Sequence, residues 1–143
     1  MPTSSRTFSP GATAMPDAPS PELVIDASAV LAALVGGPVG ARAAAAMPRA
    51  LLSAVGLAEV ACLLAGRALS AEDIAAVLDS FECEVAAFDA AAARAVARLP
   101  GADGLSLGAR ASIGLGLARD LPVLTADPRW AGLGLGPRVR LLR

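Results

Sequence analysis

The sequence predicts an α/β protein, a three-layer α/β/α sandwich around a mainly parallel sheet of about five strands. Short apolar runs alternate along the chain with segments of helical character. The segments between these runs are about ten residues or longer, and parallel neighbours need crossovers of that length. In addition, two of the runs end in an aspartate, and sites in such sheets form beyond the carboxyl ends of the strands.

The chain of 143 residues suits a single folded domain. Residues 1–21 are rich in Pro, Ser, Thr and Ala, so we expect them to form a disordered leader. The folded domain is then expected over residues 22–143.

The first half of the chain predicts two strands and three helices. The run "ELVID" (22–26) is a short strand, and "ASAVLAALVG" follows it as a helix that stops at the glycines of 36–37. Pro38 suits the first turn of the next helix, "PVGARAAAAM". A second strand is expected at 50–54, with a helix from about 56 to 67.

The second half continues the alternation. Ser70 is a good N-cap for a helix that runs to about Ser80, because Glu72 and Asp73 fall in its first turn. The remaining predicted elements are a strand over 83–88, a helix capped by Asp89, a helix from about Ser106 to Arg119, a strand over 121–126 and a fifth strand over 139–142.

Composition excludes several classes of function. The net charge is −1, which argues against a protein that binds nucleic acid through overall charge, although a nuclease with an acidic metal cleft is not excluded. The chain has no His, so a His/Cys zinc site and a His general base are both excluded. Cys62 and Cys83 are predicted to be buried free thiols.

The cellular location is predicted from the same composition. No apolar run reaches the roughly 18–20 residues that span a bilayer, and the N-terminus lacks the apolar core of a signal peptide. We therefore expect a cytoplasmic protein without a membrane partner, where free thiols stay reduced.

Three acids stand where a parallel sheet forms its sites. Asp26 and Asp127 each end an apolar strand, and Glu59 is the only charge between Arg49 and Arg67. Clustered carboxylates repel one another unless a cation offsets the repulsion, and hard oxygen ligands favour Mg²⁺ or Mn²⁺. Such an ion activates water and stabilises a phosphoryl transition state without His or a nucleophilic Cys.

Each acid also has a plainer explanation. Asp26 alone is more often the N-cap of the following helix, and Asp127 before Pro128 suits a turn. Glu59 could emerge at the solvent side of its helix. Spacing alone therefore leaves the metal site and the purely structural roles open.

Four segments, in order, resemble the PIN-domain ribonucleases, in particular the VapC-type toxins of bacterial toxin–antitoxin pairs. The resemblance covers about residues 22–143. The matching segments are "VIDASAVLAALVG", "SAVGLAEVACLLAGR", "FECEVAAFDAAAARAVARL" and "GLSLGARASIGLGLARDLPVLTADPRW". The resemblance implies a PIN-like fold and a divalent-metal-dependent RNA endonuclease.

The resemblance carries Asp26, Glu59 and Asp127 onto the catalytic and metal-binding positions of the family. Ser28 and Thr125 match small polar residues often found near that site. Arg110 matches a position that could contact RNA or an antitoxin, although a solvated helix charge explains it equally well. The implied cofactor is Mg²⁺ or Mn²⁺. The implied partners are an RNA substrate, a cognate antitoxin protein and a second copy of the chain in a homodimer.

The third family motif departs from its usual form. It normally reads Ser-Leu-Gly-Asp-Arg-Ala, and here the acid is replaced by Ala109. Gly56 also replaces the usual Asn of the second motif. Three explanations of Ala109 are open: a deliberate inactivating change, natural decay, or substitution by Asp103 in the preceding loop. Because changes around metal sites commonly cost 10–100-fold even outside the ligand set, we expect activity to be absent or impaired.

Two other classes of function are kept beside the toxin. One is a catalytically decayed PIN-like module that binds a partner protein or RNA without cleaving it, which Ala109 and Gly56 favour. The other is a phosphatase or response-regulator-like domain with a strand-end Asp. An aspartyl-phosphate site would need a nearby Lys, and the chain has none.

Overall fold

The computed structural model describes residues 19–135 and 138–143, so most of the predicted leader (1–18) lies outside the described residues. Over the described ranges, five strands form one sheet. They are β1 (Leu23–Ile25), β2 (Ala50–Ser53), β3 (Glu84–Ala86), β4 (Val123–Thr125) and β5 (Val139–Leu141). The helices are α1 (Ala27–Val35), α2 (Gly37–Ala46), α3 (Ala54–Ala65), α4 (Ala71–Asp79), α5 (Ala90–Val96) and α6 (Leu107–Arg119).

All the strand pairs are parallel, in the order β3-β2-β1-β4-β5. The central strand β1 pairs through Ile25 with Leu52 of β2 and with Leu124 of β4. The strands β2 and β3 lie on one side of β1, and β4 and β5 lie on the other. The space beyond the carboxyl end of β1 is therefore flanked by two strands that the chain reaches through crossovers in opposite directions. Such a switch point is where open α/β sheets hold their sites.

Alternate residues of the central strands enter separate cores on the two faces of the sheet. Leu23, Ile25 and Leu52 pack with α1 and α3 on one face. Val24 and Leu51 pack on the other face against α6 and Trp130. Because strand side chains alternate, one three-residue strand supplies both cores. The predicted α/β/α sandwich is therefore confirmed.

Ser70 and Asp89 cap their helices as predicted, and Ser106, predicted only as the start of its helix, is a cap as well. The hydroxyls of Ser70 and Ser106 and the carboxylate of Asp89 accept backbone N–H bonds from Asp73, Ala109 and Ala92. Gly36 and Gly37 both have positive φ and break α1 from α2, as the Gly-Gly stop predicts.

Two short 3₁₀ helices were not predicted: Met47–Arg49 before β2 and Pro128–Gly132 after β4. The α3 helix also begins at Ala54, earlier than predicted, because Ser53 both ends β2 and caps α3 through Val55 N–H. None of the helices in the described ranges is long and apolar enough to cross a membrane.

The prediction of buried thiols was wrong for Cys62, which is exposed on α3. The apolar neighbours of Cys62 lie on an Ala- and Leu-rich helix that is only partly covered, so an apolar sequence context did not mean burial. Cys83 is half-buried, and burial raises the pKa of its thiol.

Candidate functional site

Asp26 lies directly after β1 and is 5% exposed. It caps α1 by accepting the Ser28 backbone N–H at 3.3 Å. Its carboxylate also accepts hydroxyl bonds from Ser28 at 2.7 Å, Thr125 at 3.2 Å and Ser112 at 3.3 Å. Asp26 therefore caps α1 and also accepts hydrogen bonds from the three hydroxyls around it.

The hydroxyls around Asp26 also fix the end of β4. Ser28 Oγ accepts the Ala126 N–H at 3.0 Å, and Thr125 Oγ1 accepts the Asp127 N–H at 3.1 Å. The backbone that carries Asp127 is thereby tied to the network of Asp26. Ser28 and Thr125 are therefore both direct hydrogen-bond partners of Asp26.

Glu59 lies in α3, half-buried, and its carboxyl group rests against the first turn of α6. A Cβ placed on Gly108 would collide with all three atoms of that carboxyl group. Gly108 therefore leaves the space that the Glu59 carboxyl occupies. The Glu59 side chain points toward α6 and remains partly exposed in the groove.

Asp127 follows β4 and begins the 3₁₀ helix Pro128–Gly132. Both carboxylate oxygens are engaged by Arg129: Nε lies 3.0 Å from each oxygen, and Nη2 lies 2.6 Å from Oδ2. The Asp127 side chain is 18% exposed, whereas Arg129 is 76% exposed. Hydrogen bonding from Arg129 holds the pKa of the Asp127 carboxyl below its usual range, against a weaker opposing effect of burial.

Ala109 is buried in the first turn of α6, where its N–H donates to Ser106 Oγ at 3.1 Å. Its side chain lines the same groove as the three acids. The open groove has a volume of about 450 Å³. Its lining residues are Asp26, Ala27, Ser28, Leu31, Glu59, Cys62, Leu63, Leu105, Ser106, Ala109, Asp127, Arg129 and Trp130.

Sharing a groove is not the same as forming a close cluster. Within residues 19–135 and 138–143, no group of three or more His, Cys, Asp or Glu side chains is placed to hold a metal ion. The contacts explain this in part, because Asp127 is turned to Arg129 and Asp26 to its hydroxyl partners. The groove thus holds the predicted acids without arranging them as a metal centre.

The other residues singled out from the sequence lie outside the groove. Arg110 is half-buried on α6, and its Nε donates weakly to the Leu105 carbonyl at 3.4 Å. Asp103 is exposed in the loop before α6 and is not part of the groove lining. Gly56 is buried, and a Cβ there would lie 3.0 Å from Leu52 Cδ1.

Sequence reasoning missed two residues of the site. Ser112 is fully buried and donates to Asp26, and its position three residues after Ala109 on one helix face could have indicated it. Arg129 follows Asp127 by two residues in a turn that begins with Pro128. That spacing could have predicted an ion pair between the two side chains.

Comparisons with known proteins agree with this architecture. The model of the PIN domain family matches residues 23–134. A chain of a toxin-antitoxin complex from Klebsiella pneumoniae is structurally similar, with a TM-score of 0.67 and 15% identity, over 85% of this chain and 98% of that chain. At that identity the structural likeness supports the fold alone. The sequence matches none of the curated proteins with which it was compared.

Proposed function

Because the chain belongs to the PIN domain family, we propose that it is built as a divalent-metal-dependent RNA endonuclease toxin of a toxin–antitoxin pair, impaired at Ala109. One observation carries this proposal. Asp26, Glu59, Asp127 and the Ala109 side chain, from four separate elements, line one groove at the switch point of the sheet. An aspartate at position 109 would add a fourth carboxylate to that groove.

The residues present fit a metal ion only in part. Three carboxylates are hard oxygen donors suited to Mg²⁺ or Mn²⁺, and Asp26, Glu59 and Asp127 would hold the ion. Ala109 supplies no ligand, and Asp127 is already neutralised by Arg129. A bound ion would supply an activated water and stabilise charge on a phosphodiester.

The chain's own residues prepare the site in defined ways. The hydroxyls of Ser28, Thr125 and Ser112 donate to Asp26 and fix the orientation of its carboxylate. The space above Gly108 lets the Glu59 carboxyl reach α6. These features support the interpretation that the groove derives from an acidic catalytic site, rather than that its acids are unrelated helix caps.

The direct test restores the acid. Ala109→Asp, Ala109→Asn and the chain as written are incubated with total RNA and Mn²⁺ or Mg²⁺, with EDTA controls. The Asn variant is the matched control, because it adds nearly the same volume to the groove without the charge. We expect cleavage and slowed growth of the expression host from the Asp variant alone.

Two results would contradict the proposal. If Ala109→Asp neither cuts RNA nor slows growth, the toxin assignment fails. If the chain as written already cuts RNA in a metal-dependent way, the impairment assigned to Ala109 is wrong.

The proposed partners follow from the family. The structural neighbour comes from a toxin-antitoxin complex, and we extend that partnership to this chain, with a cognate antitoxin bound near the groove. A cationic side chain of the antitoxin would find the acids still present, so antitoxin binding can persist without catalysis. A homodimer and a cytoplasmic location complete the proposal.

A second candidate is the decayed module that binds a partner or RNA without cleaving it. The pairing of Asp127 with Arg129, together with Ala109, favours it, since both reduce the capacity for metal. A short neighbouring gene for a DNA-binding antitoxin would favour the toxin instead. The absence of such a gene would favour the decayed module.

A further inference from the structure

The net charge of −1 conceals two regions of opposite sign. Between Arg67 and Arg94 the chain carries six acids and no base, and from Pro128 onward it carries four Arg and no acid. The first region includes edge strand β3, and the second includes the opposite edge strand β5. The sheet therefore has an acidic edge and a basic edge.

The basic edge contains a cavity of about 430 Å³ beside β5. Its surface is mostly polar, and its lining residues are Trp130, Ala131, Leu135, Val139, Arg140, Leu141 and Arg143. Arg140 is the exposed central residue of β5. A third cation lies close by, because Arg42 donates to the Arg143 carbonyl.

The cations of this cavity differ from the other Arg residues near it. Arg129 is paired with Asp127, and Arg138 is paired with Asp120 at 2.6 Å. In the described part of the chain, Arg140 and Arg143 form no salt bridge, and no acidic side chain lines the cavity. Two guanidinium groups that line one cavity suit an anion such as a phosphate.

The cavity adjoins the acidic groove. Trp130 lines both, and the 3₁₀ helix Pro128–Gly132 that carries it runs between them. A polymer with a phosphodiester in the groove would therefore bring neighbouring nucleotides past this helix toward Arg140.

We propose that the cavity beside β5, here called the β5 cavity, binds the phosphate backbone of single-stranded RNA that enters or leaves the acidic groove. Arg140 and Arg143 contact phosphate oxygens of the strand and position it without reading its bases. The choice of RNA as the anionic polymer rests on the proposed function. The cavity, its charge and its continuity with the groove are independent of that choice.

Edge strands often carry charged residues merely to prevent pairing with other chains. That role would explain Arg140 without any ligand. It would not predict a salt-dependent loss of RNA affinity on removing Arg140 and Arg143, so a binding measurement separates the two explanations.

The experiment measures binding of the chain as written to a fluorescent single-stranded RNA oligonucleotide in EDTA, over a range of salt concentrations. The test variant is Arg140→Gln with Arg143→Gln. The matched control is Arg94→Gln with Arg98→Gln, which removes the same charge from exposed positions on and just after α5. Melting temperatures of both doubles report folding.

Each lost phosphate contact lowers the slope of log affinity against log salt by about 0.7 for single strands. The test double is therefore expected to lose about 1.4 from the slope and to bind roughly tenfold more weakly at 0.1 M salt. The control is expected to keep the slope. Arg140→Lys with Arg143→Lys should recover most of the affinity, which also separates charge loss from misfolding.

Three outcomes would overturn the β5 cavity as an RNA site. One is an unchanged slope in the test double, and another is an equal loss in the control double. The third is Arg140-dependent binding of an acidic peptide without binding of RNA.

The two proposals fail separately. If Ala109→Asp cuts RNA while the Arg double binds like the chain as written, the nuclease stands and the β5 cavity does not. If Ala109→Asp cuts nothing while RNA binding depends on Arg140 and Arg143, the β5 cavity stands and the nuclease proposal fails.

Discussion

Arg129 gives Asp127 a counter-charge from within the same turn. Both oxygens of the Asp127 carboxylate accept bonds from this side chain, the shortest at 2.6 Å. A divalent ion that used Asp127 would have to compete with the guanidinium, because both are cations that need the same lone pairs. Arg129 is exposed, so its displacement costs little packing.

Replacing Arg129 is therefore expected to strengthen metal binding. Arg129→Gln in the Ala109→Asp background should bind Mn²⁺ several-fold more tightly than Ala109→Asp alone, measured by calorimetry or by metal-induced thermal shift. Arg119→Gln, at the far end of α6, removes the same charge and should have little effect. Equal affinities in all three proteins would show that the Arg129 pair does not compete with metal.

The same pair predicts an acid-dependent contribution to stability. The folded-state pKa of Asp127 is depressed, so its contribution is present above the unfolded pKa of about 3.9 and is lost as pH falls through the lower folded value. The contribution is small, since Arg129 is largely exposed. Melting curves of Arg129→Gln and the chain as written should differ slightly near pH 6 and converge toward pH 2. A difference that grows on acidification would contradict this assignment.

Gly108 is expected to matter for Glu59 rather than for folding. Gly108→Ala adds a methyl where the Glu59 carboxyl now lies, and this flexible side chain can move away. Helix propensity favours Ala over Gly by about 1 kcal/mol, so the melting temperature should hold or rise. In the Ala109→Asp background we expect weaker Mn²⁺ binding and less cleavage. Gly66→Ala, where a Cβ meets only contacts of 3.5 Å or more, is the control.

At the scale of elements, the first turn of α6 carries three features of the site at once. Ser106 caps the helix, Gly108 makes room for Glu59, and Ala109 faces the groove. The Ser106 cap therefore stabilises the helix turn that carries position 109, on which the proposed function depends.

Losing that cap should cost measurable stability. Ser106→Ala removes the acceptor of the Ala109 N–H and is expected to lower the free energy of unfolding by about 0.5–2 kcal/mol, whereas Ser106→Gly should cost only a few tenths. Urea denaturation of the two variants checks the order. An Ala variant as stable as the Gly variant would mean that water replaces the hydroxyl at no cost.

The elements were predictable where local chemistry decides them. Ser70, Asp89 and Ser106 cap helices because their side chains accept N–H bonds within three residues, which a sequence reveals directly. The 3₁₀ helix after Asp127 was missed, since its Pro start also suits a simple turn. The orientation of the Glu59 side chain toward α6 could not be predicted from the sequence, because it depends on the packing between α3 and α6.

At the scale of the whole molecule, the sheet separates two cores that share its strands. Leu51 is fully buried on the α6 face, and Leu52 is fully buried on the α1 and α3 face. In the sequence, these three- and four-residue strands are continuous apolar runs. Such runs predicted that both faces of the sheet are buried, but they did not show which residue enters which core.

Truncating one of these residues should destabilise the whole fold. Leu51→Ala is expected to lower the free energy of unfolding by about 2–5 kcal/mol, whereas Leu117→Ala, at an exposed position of α6, should change it by no more than about 0.5 kcal/mol. Urea denaturation measures both. A small effect of Leu51→Ala would show that the core between the sheet and α6 contributes little to the free energy of unfolding.

The groove was predicted as a set of residues, and its detailed arrangement was not. Asp26, Glu59, Asp127 and Ala109 line one groove because β1 and β4 are neighbours and α3 is in contact with α6. The partners of the acids, Ser112 and Arg129, depend on side-chain directions that neither spacing nor family motif specifies.

Trp130 is the single tryptophan of the chain, and it is almost wholly buried in the wall between the acidic groove and the β5 cavity. The protein consequently carries an intrinsic fluorophore at the junction of the two sites, with no other indole to obscure its emission. Occupancy of either side can be followed in unlabelled protein through that one signal.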